Sequence, residues 1–208
     1  MAYAGSLCWQ PSLLDVAYGA PSFDAAFTRA RRLDLEPGAW VEHAPQWVRG
    51  GDALFADIVE RAPWHQGRRY MYDRMVDEPR LTAWYGTALN DDAIPPVVAD
   101  MARTLSERYR RDFDSVGAAL YRDGHDSVAW HGDKIPEEVV EPVVAIVSLG
   151  SARKLRMRAK FNHRNTRSFT LLPGDLLVMG GTSQRTWEHS IPKVRFAGPR
   201  LSVQFRHD

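Results

Sequence analysis

Residues 198–208 read GPRLSVQFRHD. In an extended strand Arg200, Ser202, Gln204 and Arg206 share one face, and Leu201, Val203 and Phe205 share the other. A guanidinium turned into a protein core is costly unless it meets an anion. Two readings follow: a pair of solvent-facing arginines on an edge strand, or an inward pair built for a carboxylate, whose two oxygens match the guanidinium fork. Working back from this strand, the chain beyond Phe113 keeps the same texture. SVGAALYRDG, DSVAWHGD, PVVAIVSLGS, RKLRMRAKF, RSFTLLPGD, LLVMGG and TWEHSIPK are short segments punctuated by RDG, PGD and GG turns. About eight strands at this spacing predict a double-sheet jelly roll or barrel.

Before Phe113 the pattern is mixed. SFDAAFTRARR (22–32) predicts a short helix, and LDLEPGAWVEHAP predicts a strand, a Pro-Gly turn and a second strand. GGDALFADIVERAPW predicts a helix capped by Asp52. DDAIPPVVADMARTLSERYRRDF is the clearest helix: two prolines suit its first turn, and Val98, Met101, Leu105 and Tyr109 form one apolar stripe. With no repeat or linker, one domain is the economical organisation.

The 208 residues suffice for a substantial core. The net charge of +1 is far from that of a protein that coats nucleic acid, although a local basic surface remains open. The single cysteine, Cys8, rules out an intrachain disulfide and a thiolate zinc cluster, and is expected to be a small buried apolar residue. No apolar run approaches the ~20 residues of a membrane span. The first residues lack the basic-then-apolar pattern of a secretory leader, so a cytoplasmic location is expected.

AWHGDK (129–134) follows an apolar run and carries His131 and Asp133 one residue apart. On a strand both would point to one face. Two histidines and one carboxylate on one face of a metal make a non-haem iron site with open positions. By itself the pair also suits two polar residues where a strand meets a turn; His125-Asp126 and His207-Asp208 are similar neighbours. A third ligand must come from downstream. His163 lies in the polar stretch FNHRNTR and His207 beside the chain end, whereas His189 lies in strand-like RTWEHSI and is the preferred candidate. Trp130 and Trp187 flank these positions and alternate away from them, as core or support.

Taken together and in order, LYRDGHDSVAWHGD, PVVAIVSLGSARKLRMR, LLPGDLLVMGGTSQRTWEHSIPK and GPRLSVQFR, with EPRLTAWYG upstream, resemble the AlkB family of iron(II)- and 2-oxoglutarate-dependent dioxygenases. The resemblance implies a mainly β, α+β fold: a double-stranded β-helix (jelly roll) core over 113–208, with residues 1–112 as an N-terminal helical and strand extension holding lid elements and support helices. It implies an oxidoreductase using iron(II), 2-oxoglutarate and O2. His131, Asp133 and His189 would bind the metal. Arg200 would pair with the distal carboxylate of 2-oxoglutarate and Tyr121 would donate a hydrogen bond to it. Arg206 would lie near the iron-bound end. Ser202 stands where many members have Asn, and its hydroxyl still suits a carboxylate. Ala119 replaces another family Asn, Ile135 replaces an acidic residue that reads the base, and the family's Tyr-x-Phe/Tyr-Ser-Gly lid segment is missing, so the lid is expected to be short.

The expected reaction is oxidative dealkylation of N-alkylated bases, of the 1-methyladenine or 3-methylcytosine type, in DNA or RNA, with release of formaldehyde and succinate. The short lid and Ile135 keep open an oxygenase acting on a small molecule or a protein. From another class, a jelly-roll binding module with structural histidines leaves the ordered set of ligands and arginines unexplained. Arg156, Arg158 and Lys160 alternate with Leu155, Met157 and Ala159, which gives a basic strand face suited to phosphates or to a solvated edge. Trp84 and Tyr85 are candidates to stack on an extruded base, or to pack in the core; by the resemblance His131 would form the other wall. The expected partner is alkylated DNA or RNA, bound by a monomer without an obligate protein partner.

Overall fold

The computed structural model describes residues 7, 9–12, 19–71, 73–85, 94–133 and 135–207. Cys8 and the expected lid segment at 86–93 lie outside the described residues. In chain order the elements are β1 (Ser22–Phe23), β2 (Arg31–Leu35), β3 (Ala39–Ala44), β4 (Val48–Arg49), α1 (Gly51–Arg61), β5 (Arg68–Met71), β6 (Arg74–Asp77), β7 (Leu81–Trp84), α2 (Pro96–Tyr109), β8 (Ser115–Tyr121), β9 (Val128–His131), β10 (Val144–Gly150), β11 (Arg153–Ala159), β12 (Asn162–Leu171), β13 (Leu176–Gly181), α3 (Ser183–Thr186), β14 (Trp187–Ile191) and β15 (Arg200–Arg206).

Two antiparallel sheets carry the architecture. The larger runs β2-β3-β13-β10-β15-β8-β7 and the smaller β12-β11-β14-β9. Three strands from before residue 112 therefore complete the larger sheet. Its central strands are buried on both faces, which is why PVVAIVSLG is almost continuously apolar. One face, with Ala145, Val147, Leu149, Leu201, Val203 and Phe205, packs on Leu54, Phe55 and Ile58 of α1 and Val98, Met101 and Leu105 of α2. The other, with Val144, Ile146, Leu177 and Met179, meets Leu155, Met157, Trp187 and Ile191 between the sheets. This is the jelly roll with helices outside.

Two local expectations are corrected. Residues 22–32 are not a helix. Asp24 captures the backbone N–H groups of Ala26 (3.1 Å) and Thr28 (2.7 Å) and the Thr28 hydroxyl (2.7 Å), closing a turn in place of a helix. Arg31–Leu35 then joins the larger sheet beside β3. Asp52 does not cap α1. Gly50 holds the cap position and Asp52 lies inside the first turn, where a carboxylate suits the helix dipole.

Gly150 ends β10 directly across from Arg200. Its φ is +76°, and an added Cβ would lie 2.6 Å from the Pro199 carbonyl oxygen and 2.8 Å from the Phe55 ring. Gly150→Ala should lower stability by about 2–4 kcal/mol, from left-handed strain plus overpacking. Denaturant unfolding measures this, and a variant as stable as the parent would refute it.

Candidate active site

The pocket lies between the sheets, where β9, β14, β15 and β8 converge. His131 ends β9 and stands across from His189 on β14; the ring centroids are 4.2 Å apart. The pairing jumps from His131↔His189 to Val128↔Ile191, so three steps along β9 span two along β14. Such a bulge re-aims side chains. It lets both Val128 and His131 line the pocket, which strict alternation forbids. Asp133 lies just beyond the strand end, where its N–H donates to Gln184 Oε1 at 3.1 Å. Asp133 Oδ2 is 4.0 Å from His189 Nε2. One potential ligand atom from each of His131, Asp133 and His189 lies within 4.8 Å of the others.

The protonation states suit a cation. His131 Nδ1 is 2.8 Å from the Ala129 carbonyl oxygen, which can only accept, so Nδ1 is a donor there and Nε2 is the ring nitrogen left for a metal. Burial pushes the His189 pKa down to about 4, leaving a neutral imidazole near pH 7. Burial by itself would raise the Asp133 pKa, but the Arg206 guanidinium, above all, holds it below the usual carboxylate value. Arg206 donates from Nη2 to Asp133 Oδ1 at 2.9 Å and to Gln204 Oε1 at 3.0 Å.

Arg200 and Tyr121 sit opposite each other in the β8–β15 pairing, both buried. Arg200 Nε donates to Ser148 Oγ at 2.9 Å. Its Nη1 and Nη2 are buried with no hydrogen-bond partner among the described residues, and burial lowers its pKa to about 10. Arg153, whose guanidinium also lies against the Tyr121 ring, differs: its terminal nitrogens donate to the carbonyls of Asp123, Asp126 and Pro192. The open fork belongs to Arg200. Asp133 Oδ2 is likewise buried without a hydrogen-bond partner. One pocket thus holds an orphaned carboxylate oxygen beside two imidazoles and an orphaned guanidinium fork. A metal ion satisfies the first and a carboxylate the second, so the residues fit iron(II) and 2-oxoglutarate together.

The structure gathers His131, Asp133, His189, Tyr121, Arg200, Ser202 and Arg206 around this pocket. It does not gather the residues expected to touch a base. Tyr85 is buried in the core cluster that holds α1 and α2 and does not line the pocket. Trp84 alternates to the other face and is half exposed on the edge strand β7. Arg156 and Arg158 lie on the outer face of the smaller sheet, over the ring of Trp130 at 5.5 and 4.4 Å. Trp130 is therefore an outer-face residue, while Trp187 is core. Lys160 donates to the Gln184 carbonyl at 3.3 Å. His207 accepts from the Val143 N–H at 2.9 Å, a structural task. Arg80, not singled out from the sequence, lines the pocket with its Nε buried and without a hydrogen-bond partner. Its signal was available: Arg80, Thr82 and Trp84 share one alternation, and Thr82 pairs with Ala119 next to Tyr121.

A jelly roll enclosing a His-Asp-His cluster and a buried arginine defines an oxygenase of a known kind. Residues 41–206 match the 2OG-Fe(II) oxygenase superfamily, and the chain belongs to it. It is an enzyme that works with iron(II), 2-oxoglutarate and O2. Within that superfamily it belongs to the AlkB family. It is 30% identical over 215 residues to the human alpha-ketoglutarate-dependent dioxygenase alkB homolog 3, covering 95% of this chain and 73% of that protein. The bovine counterpart is 30% identical over 177 residues, covering 76% of this chain but only 62% of the relative, less than two thirds of its length. The DNA oxidative demethylase ALKBH2 of Arabidopsis thaliana is 25% identical over 230 residues, covering 92% and 73%. Among solved structures, OsALKBH1 (TM-score 0.54, 15% identity, 84% of this chain and 100% of that one) and a Pseudomonas putida prolyl-4-hydroxylase (0.53, 16%, 81% and 92%) share the fold. No helix among the described residues is long and apolar enough to cross a membrane.

Proposed function

We propose that this chain, acting as one oxygenase domain, removes alkyl groups from ring nitrogens of damaged bases in DNA or RNA. His131, Asp133 and His189 hold iron(II); Arg200, with Tyr121 and Ser202 beside it, seats the distal carboxylate of 2-oxoglutarate. The observation that carries this reading is the pairing, in one pocket, of the three-ligand cluster with a buried arginine whose terminal nitrogens lack partners. When bound, iron, 2-oxoglutarate and O2 supply the oxidation: one oxygen atom goes to succinate as CO2 leaves, the other to a substrate C–H bond. A hydroxymethyl group on nitrogen then breaks down to formaldehyde and the free amine. The protein's part is positional. Arg206 orients Asp133 and keeps it anionic, His131 keeps Nε2 free for metal, and Val128, Ile146, Leu155 and Ile191 form an apolar wall that excludes water.

Nucleic acid as substrate is supported by the relatives' names and by the basic outer strand with Arg156, Arg158 and Lys160, which lies two strands from β9. Trp84, exposed on β7, is the remaining stacking candidate. Ile135 favours a second reading, an oxygenase for a small molecule or protein: it packs against the inter-sheet core and offers no hydrogen bond to a base. The deciding experiment supplies iron(II), 2-oxoglutarate and ascorbate with an oligonucleotide carrying 1-methyladenine or 3-methylcytosine. Formaldehyde from the parent but not from His189→Ala is expected. Slow succinate formation without formaldehyde would instead support the second reading.

A further inference from the structure

The loop between β14 and β15, residues 192–199, takes no part in the chemistry above, yet it springs from two pocket-lining residues, Ile191 and Arg200. It begins three residues after His189, about 10 Å along a strand. At its tip Phe196 is 81% exposed, with the Arg195 guanidinium 5.1 Å from its ring centroid. Lys193 and Arg195 are exposed, and neither forms an ion pair among the described residues. The neighbouring acid, Asp123, is already engaged with His125.

The loop is tied down on both sides of this tip. Arg153 donates to the Pro192 carbonyl at 2.7 Å. The Val194 N–H donates to the Gly124 carbonyl, and the Ser151 N–H to the Pro199 carbonyl, at 2.9 and 2.8 Å. Gly124 and Gly198 leave no room for a Cβ against Val194 and Ser151. An exposed phenyl ring on a pinned loop, preceded by two exposed cations that form no ion pair among the described residues, has the composition of a stacking platform for single-stranded nucleic acid: the ring face not covered by Arg195 takes a base and the cations take phosphates. Because the loop is already fixed, little ordering entropy opposes binding.

We propose that this loop is a second contact for the substrate strand, with Phe196 stacking on a base near the one being dealkylated and Lys193 and Arg195 holding its phosphates. The proposal rests on the nucleic-acid reading of the pocket. It is tested by fluorescence anisotropy with the full chain and a labelled single strand of roughly 12 nucleotides, within the site sizes such surfaces cover. Phe196→Ala should weaken binding about tenfold at fixed salt, and Phe196→Trp should restore it. Arg195→Gln should reduce the slope of log affinity against log salt by about one. Both positions are exposed, and thermal unfolding checks that the variants fold. If the parent releases formaldehyde but Phe196→Ala binds as tightly, the loop proposal is overturned and demethylation stands. If Phe196→Ala binds weakly but no alkylated strand yields formaldehyde, demethylation falls and with it the placement of Phe196 beside a dealkylated base, and the loop stands as a strand contact only. If the parent does not bind the strand, the loop proposal is overturned.

Discussion

Replacing Arg200 with methionine should raise the KM for 2-oxoglutarate by about 100- to 1000-fold, because a buried charge pair that loses one partner strands the other. The same substitution should stabilise the protein when no cosubstrate is present, by about 1–3 kcal/mol. The two effects have one cause. In the free protein the Arg200 guanidinium is buried, and its Nη1 and Nη2 are without partners. Only Nε, through Ser148 Oγ, and the Tyr121 ring offset its desolvation, and an apolar side chain of similar length removes the remaining cost. Saturating 2-oxoglutarate should shift the parent's melting upward, by about 2.7 kcal/mol at a hundredfold excess over Kd, and leave the variant unmoved. Succinate kinetics and thermal unfolding with and without 2-oxoglutarate measure both. A variant less stable than the parent in the free state would show that the contacts of Arg200 within the protein outweigh its desolvation and that its role is structural.

His189→Ala carries the second large effect: loss of turnover by at least about a thousandfold, since a ligand set acts as a unit. Its diagnostic is separate from catalysis. The buried His189 imidazole and the Asp133 oxygen 4.0 Å from it should make the parent's unfolding temperature rise with manganese(II), a redox-silent stand-in for iron(II). The alanine variant should lose that rise while folding normally without metal. His163→Ala, on the exposed β12, should retain both turnover and the metal-dependent rise. A metal response that survives His189→Ala would remove His189 from the ligand set.

The strand period made much of this legible. In β15 every second residue from Arg200 lines the pocket and every intervening one is core, because a strand buried on both faces leaves no freedom of register. The Pro37–Gly38 turn and the apolar stripe of α2 were equally plain. What failed was local competition and coverage. Asp24 outbid a helix with its own carboxylate. Trp130 was assigned to core or support because a strand does not announce what covers its outer face. Adjacent strand residues face opposite ways, so Trp84 and Tyr85 could not both look into the pocket; the core took Tyr85. The bulge in β9 left no mark in VAWH.

That bulge has a mechanical meaning. β9 is the outermost strand of the smaller sheet, four residues long and paired with β14 at two positions on either side of an irregularity. It is a lightly fastened edge strand, and two of the three candidate metal ligands hang from it or just beyond it, while the third belongs to its neighbour. An ion gripped by all three is a rivet through a loose seam. Bound metal would then tie the border of the barrel to its neighbour as well as serve the chemistry, so limited proteolysis of the metal-free protein is expected to cut near β9 sooner than in the presence of manganese(II).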